Sequence, residues 1–277
     1  MIRRRTFIAG LGSAAAWPVV ARGQQAPIPV VGFLSSQPPD GYTGRLRAYR
    51  HGLLEAGYVE GENVTIEYRW AEHRLDRLPG LAVDLVRRRV AVIATSDTVS
   101  ATAAKGASTT IPIVFSVGSD PVALGLVASL NRPGGNVTGI NFFINELVGK
   151  RLELLRELVP RASRIAVLVN PANVVLTEIT TRETAAAARA LALEIKVFNA
   201  STSDEIHAAF ERLSRERPDA LLVASDPFFN FRRVELSTLA ARHRLPSSFS
   251  ERELVEAGGH QHQRCSSSTR CLHRPDS

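Results

Sequence analysis

From Pro29 onward the chain alternates between short, almost wholly apolar runs and longer stretches whose apolar residues recur every three or four positions. A short apolar run bounded by turn-forming residues reads as a strand buried on both faces, and the three-to-four spacing reads as an amphipathic helix. Residues 29–34, 64–68, 90–95, 112–116 and 137–141 predict five strands. Between them, residues 42–56, 74–88, 99–107 and 121–130 predict helices, the first stopped by Gly57. After the turn cluster at 132–136 comes a helix over 146–159, closed by Pro160. The series then restarts, with strands predicted over 164–169, 194–198, 220–224 and 246–249 and helices over 176–192, 202–215 and 231–243.

Buried strands alternating with amphipathic helices imply parallel sheets covered on both faces. The expected fold class is α/β, with two doubly wound parallel-sheet lobes, one over residues 24–141 and one over 142–259. A (β/α)₈ barrel has enough elements to compete. The turn cluster at 132–136 and the break at Pro160 divide the series and favour two lobes. A chain of 277 residues is long enough for two buried cores.

The first 23 residues read as an address rather than part of the fold. Arg3-Arg4-Arg5-Thr6-Phe7-Ile8 is followed by apolar and small residues to Ala21, and Ala21-Arg22-Gly23 offers small residues on either side of a cleavage position. The paired arginines match a twin-arginine export signal. The apolar stretch is too short to span a bilayer comfortably. The expected location of the mature chain is therefore the periplasm, with cleavage near Gly23.

The formal charge of +7 changes meaning once it is located. Arg3, Arg4, Arg5 and Arg22 stand in the leader without an acid, and Arg264, Arg270 and Arg274 stand near the C-terminus against a single Asp276. Residues 24–259 are left near neutral, a poor match to a nucleic-acid binder, which needs a clustered basic face. Catalytic signatures are missing as well: the sequence has no G-x-S-x-G, no Walker A loop and no H-E-x-x-H. His51, His73, His207 and His243 read as solvated helix or helix-flank residues. No cofactor is expected.

In open α/β sheets ligands lie beyond the carboxyl ends of the strands. The residues predicted there are Ser35 and Ser36; Ser96, Asp97 and Thr98; Gly118, Ser119 and Asp120; Asn170; and Ser225 and Asp226. Several precede helices, whose free N–H groups attract carboxylate or phosphate, while an Asp in the same ring would hold an ammonium. Together these groups match a zwitterion such as an amino acid. The same residue types also serve as helix N-caps. Their recurrence at five strand ends is what favours a binding ring.

The ordered set of short motifs is similar to the ABC transporter substrate-binding family that includes tryptophan and aromatic amino-acid receptors. The matching pieces begin with Val31-Gly32-Phe33-Leu34, then Gly52-Leu53, Gly57-Tyr58 and Gly61-Glu62-Asn63-Val64, then Glu67-Tyr68-Arg69-Trp70-Ala71. They continue with Ile111-Pro112-Ile113-Val114-Phe115, Asp120-Pro121-Val122 and Leu130-Asn131-Arg132-Pro133-Gly134-Gly135-Asn136-Val137-Thr138-Gly139. Val169-Asn170-Pro171 and Val255-Glu256-Ala257-Gly258-Gly259 complete them. The resemblance implies a type I periplasmic binding fold, two hinged lobes that close on a small ligand. By position, Ser35, Ser36, Asp97, Thr98 and Asp120 would face the cleft from the first lobe, and Asn170 and Asp226 from the second.

Residues 260–277 depart from the family. They hold three histidines and both cysteines, with one aliphatic residue, where the family continues with an apolar strand and a helix. The spacing of His260, His262, Cys265, Cys271 and His273 matches no regular zinc pattern. A one-nucleotide frame shift is compatible with ISTSVARRQRGAYIDRIL, close to the family's continuation, so a truncated or frame-shifted C-terminus with weakened binding and stability is expected. The expected function is the periplasmic solute-binding component of an ABC importer. It would bind a small, amino-acid-like and possibly aromatic molecule, work with ABC permease subunits and be a monomer, without nucleic acid or stable membrane insertion. Two other readings are a periplasmic sensor module that docks a receptor and an α/β hydrolase-type enzyme.

Overall fold

The computed structural model describes residues 28–144 and 147–250 and the backbone of Leu272–His273. The leader at 1–23, the motif at 255–259 and nearly all of the tail lie outside the described residues.

The first sheet contains β1 (Val30–Ser35), β2 (Thr65–Trp70), β3 (Val92–Thr95), β4 (Ile113–Val117) and β5 (Val137–Asn141), in the order β2-β1-β3-β4-β5. All of its pairings are parallel. Its helices are α1 (Thr43–Glu55), α2 (Leu78–Arg87) and α3 (Thr98–Ala107). On one face Leu34, Ile93, Ile113, Phe115 and Val117 pack against Leu78, Ala82 and Leu85 of α2 and Ala101 and Ala104 of α3. On the other, Val31, Phe33, Ile66 and Ala94 meet Tyr42 and the half-buried Leu46, Tyr49 and Leu53. Phe33 is the hub of that side, with its ring 5.2–5.8 Å from those of Tyr42, Tyr49, Tyr68 and Trp70. Each fully buried side chain of this size contributes about 1.5–3 kcal/mol relative to exposure.

The second sheet contains β6 (Arg164–Val169), β7 (Glu194–Asn199), β8 (Ala220–Val223), β9 (Ser247–Ser248) and β10 (Leu272–His273), in the order β10-β9-β8-β6-β7. Only the β9–β10 pairing is antiparallel. Its helices are α4 (Val148–Leu158), α5 (Val174–Leu191), α6 (Ser203–Glu216), α7 (Pro227–Phe231) and α8 (Arg233–Arg242). Strands β6 and β8 are buried almost throughout and form the floor of one continuous core with Phe198, Phe210, Phe229 and Leu236. Two separate open sheets exclude the barrel.

The two sheets repeat one topology. In each, the first strand lies between the second and the third: β1 between β2 and β3, and β6 between β7 and β8. Each sheet therefore has a switch point where successive connections leave in opposite directions, at β1/β3 and at β6/β8, and in this class of fold the crevice opens there.

Three predicted helices differ from the observed ones. Residues 121–130 form turns: Gly125 takes φ +66°, and Leu126 and Val127 both donate back to the carbonyl of Pro121, which ends the coil after one turn. The stretch 74–88 divides into a 3-10 turn, Leu75–Arg77, and α2. The helix expected from Phe231 begins earlier, because Asp226 caps it and Pro227 occupies its first turn, and it breaks at Arg232 before α8.

Candidate functional site

In the first lobe the switch point is tied by one carboxylate. Asp97 follows β3 and caps α3, its Oδ1 accepting from the Ser100 amide at 2.8 Å. Its Oδ2 accepts from the Ser36 amide at 2.9 Å, the Ser36 hydroxyl at 3.0 Å and the Ser96 hydroxyl at 3.2 Å. The ends of β1 and β3 are thus held together. Ser35 is fully buried, and its hydroxyl accepts from the Gln37 amide at 3.2 Å. The Ser36 carbonyl accepts from the His73 amide at 2.7 Å, which fixes the loop leaving β2 to the same strand end.

The second lobe repeats the device. Asp226 follows β8 and caps α7, its Oδ1 accepting from the Phe228 amide at 2.9 Å. The same oxygen accepts from the Asn170 carboxamide at 3.0 Å, and Oδ2 accepts from that of Asn173 at 2.8 Å. Asn170 follows β6, so the β6/β8 switch point is also closed by a carboxylate. Asp226 is 2% exposed, and its hydrogen-bond donors among the described residues, Asn170, Asn173 and the Phe228 amide, are all uncharged. Burial pushes its carboxyl above the ordinary range, the bonds from Asn170, Asn173 and Phe228 pull it back, and the charge of Asp97 across the cleft raises it further.

Between the two devices lies a cleft with about 220 Å³ of free space, its open mouth included. The first lobe lines it with Ser36, His73, Leu75 and Val99, and the second with Asn170, Asn173, Asp226, Pro227 and Phe228. Of the residues singled out in the sequence, Ser36, Asn170 and Asp226 line this cleft. Asp97 stands directly behind Ser36, and Ser35 supports the loop. Thr98 is buried in the first turn of α3, where its carbonyl accepts from the Thr102 hydroxyl. Asp120 stands apart from the cleft lining and bonds the Val122 amide at 2.9 Å within its own turn. Neither Thr98 nor Asp120 belongs to the lining of this cleft.

Sequence reasoning missed His73, Asn173 and Phe228. Asn173 carried a usable signal, since it caps α5 through the Leu176 amide, three residues after Asn170. His73 carried none: Glu72 and His73 both adopt left-handed backbone, at φ +55° and +64°, which residue type does not announce. Arg151 was missed as well. It takes the place of an apolar residue on the buried stripe of α4 and is 4% exposed. Its guanidinium donates to the carbonyls of Val223 and Ser248 at 2.6 and 2.8 Å, and burial pulls its pKa down to about 10.

The cleft suits binding better than chemistry. Ser36 and His73 share it, but the Ser36 hydroxyl bonds Asp97 while the His73 ring packs on Phe228 and Phe231. No serine–histidine bond prepares a nucleophile. Among the described residues, no three His, Cys, Asp or Glu side chains are placed to hold a metal ion.

Comparison with known proteins adds to this geometry. Residues 40–262 match the family described as ABC transporter substrate binding protein. A tyrosine-binding protein of Clostridioides difficile (strain R20291) is 30% identical over 212 residues, covering 76% of this chain. The chain spans about 60% of that relative's length. A conserved domain protein from Vibrio cholerae superposes with a TM-score of 0.72 at 26% identity, over 84% of this chain and 77% of that one. An ABC domain from Streptococcus pneumonia in complex with L-Trp superposes with a TM-score of 0.71 at 22% identity, over 83% and 77% of the two chains.

Proposed function

The chain belongs to the ABC transporter substrate-binding protein family, and from that premise we propose that it is the exported receptor of an ABC importer, binding an aromatic amino acid between two lobes, residues 24–141 and 142–259. The observation that carries this reading is the acceptor count at Asp226. An ionised carboxylate offers about four acceptor positions. Asp226 Oδ1 uses two of its own, on Asn170 and Phe228, whereas Oδ2 accepts only from Asn173. One acceptor position remains on a buried carboxyl oxygen of a residue in the cleft wall. An ammonium group satisfies both the position and the charge.

The rest of the ligand follows from the remaining walls. Phe228, Leu75 and Val99 supply apolar surface for a side chain, and Ser36 and Asn173 supply polar contacts. The relatives support the same class: one is named a tyrosine-binding protein, and the cited complex holds L-Trp. The twin-arginine-like leader at 1–23 supports export to the periplasm, and the family supports ABC permease subunits as partners. The described residues include no helix long and apolar enough to cross a membrane. We read the chain as a binding protein without catalytic activity.

Isothermal titration of the purified chain with L-tyrosine, L-tryptophan, L-phenylalanine, L-leucine and benzoate tests the reading. Saturable one-to-one binding of an aromatic amino acid, with benzoate weak or silent, is expected. Binding of benzoate in preference to every amino acid would overturn the ammonium assignment.

A further inference from the structure

Across the cleft, His73 of the first lobe is seated on the second. Its ring centre lies 5.5 Å from that of Phe228 at 89° and 4.9 Å from that of Phe231 at 61°, both edge-on. The Arg232 guanidinium covers the same two rings, 4.1 Å from the Phe228 centre and 5.7 Å from that of Phe231. Phe228, Phe231 and Arg232 therefore form an aromatic slot, and a side chain from the opposite lobe occupies it.

The occupant is poorly satisfied there. His73 Nε2 is shut off from solvent and has no hydrogen-bond partner. Its backbone and that of Glu72 are both left-handed, a conformation that carries strain in residues other than glycine. Its amide is fixed to the Ser36 carbonyl, so the loop cannot relax without leaving the first lobe's strand end. When the lobes part, water reaches Nε2 and the ring contacts are lost together. The contact is thus weak by construction. A phenylalanine at this position would fill the slot without an orphaned nitrogen, and a small residue would leave it empty.

We propose that His73 is a stand-in for the ligand's ring: it fills the Phe228–Phe231–Arg232 slot while the cleft is empty, holds the lobes together, and is displaced by an aromatic ligand. The proposal rests on the aromatic reading of the ligand given above, but its first half concerns the empty protein and is tested without ligand. Displacement returns Nε2 to water and places a planar ring between the phenylalanines and under the guanidinium, where it gains edge-to-face and cation–π contacts.

Small-angle X-ray scattering of the unliganded chain at neutral pH reads the latch directly. The wild-type chain and the His73→Phe variant are expected to share one radius of gyration, and His73→Ala to show a larger one. Phe231→Ala removes the opposite side of the contact and is expected to expand the molecule in the same way, which covers a failure of either variant to fold. Equal scattering from all four proteins overturns the latch. Titration with L-tryptophan then tests displacement: His73→Ala should bind about two- to tenfold more tightly, because the competing closed state is gone. Unchanged affinity in an expanded variant overturns displacement. Expansion together with no binding of any aromatic amino acid supports the latch and sinks the ligand reading instead.

Discussion

Replacing Asp226 with asparagine removes a charge from the cleft while keeping the side chain's shape. The carboxyl group is 2% exposed, and its Oδ2 accepts one hydrogen bond, from Asn173. Two unit charges about 3 Å apart attract by about 5–6 kcal/mol at an effective dielectric constant of about 20. Desolvation of the incoming ammonium returns part of that, and truncating one member of a buried charged pair costs about 2–5 kcal/mol in measured cases. A loss of about 2–4 kcal/mol is therefore expected for L-tyrosine, or roughly 30- to 1000-fold in Kd. The control is 3-(4-hydroxyphenyl)propionate, which has the ring and the carboxylate but no amine. Isothermal titration of both ligands against both proteins isolates the amine: Asp226→Asn should weaken L-tyrosine and leave the propionate within a few-fold. Equal losses for the two ligands, or no loss for either, would refute the assignment. The fold should tolerate the change. Oδ1 of the new carboxamide still accepts from Asn170 and Phe228, and only the bond from Asn173 is lost. The pH dependence carries a sign that can be checked. The folded-state carboxyl is raised above 3.8, so the wild type loses stability as pH rises from there through the raised value. The asparagine variant lacks that component.

Four further outcomes follow from the structure. Asp97→Ala removes the α3 cap and both bonds to Ser36, and chemical denaturation should show a loss of about 2–3 kcal/mol, with ligand affinity reduced as the β1 loop loosens. Gly139→Ala would place a methyl group 2.1 Å from the Phe115 carbonyl oxygen and 2.6 Å from its ring, so the β4–β5 pairing must shift and stability should fall by about 3 kcal/mol. Gly80→Ala, in α2 with nothing within 4 Å, should instead gain about 0.5–1 kcal/mol, and thermal denaturation compares the two. The His73 latch should weaken in acid: burial, and secondarily the charge of Arg232, lower its pKa from 6.5 to about 4, so closure of the empty cleft is fully favoured above 6.5 and lost as pH falls toward 4. Asp226, which faces the same cavity, responds in the opposite direction by shedding its repulsion with Asp97 as it protonates. Scattering across this range on an Asp226→Asn background isolates the histidine, and His73→Phe on that background should show no pH response.

The sheets were legible because their central strands β1, β6 and β8 are buried almost throughout. A run such as Ile165 to Val169, with every residue at 1% exposure or less, can only be a covered strand. The cleft ring was legible in part for a related reason: strand ends at a switch point need residues that cap helices, and serine, asparagine and aspartate announce themselves. Thr98 and Asp120 show where this reasoning stops. Both have the right residue type at a strand end, but they belong to β3 and β4 connections whose bonds turn inward, to α3 and to the 121–127 turn. The turn itself was misread because Val122, Leu124, Leu126 and Val127 carry a helical spacing that Gly125 interrupts by its backbone alone. His73 was out of reach altogether. Its role depends on two rings almost 160 positions later in the chain and on a left-handed backbone, and neither leaves a trace in local pattern.

Asp226 serves two masters, because the carboxylate that clamps its loops also belongs to the cleft wall, and Asp97 clamps from behind the loop that carries Ser36 into that wall. That constrains how a receptor of this design can change its diet. Replacing either aspartate with a residue that cannot accept these bonds also unfastens a switch point, so such a mutation is penalised in stability before any benefit in binding is felt. Leu75 and Val99 line the same cavity without any such side-chain bond in the loops, and they can vary at little structural cost. Descendants of this chain should therefore keep one way of gripping the amine and diversify in what surrounds the side chain: a common handle with interchangeable pockets.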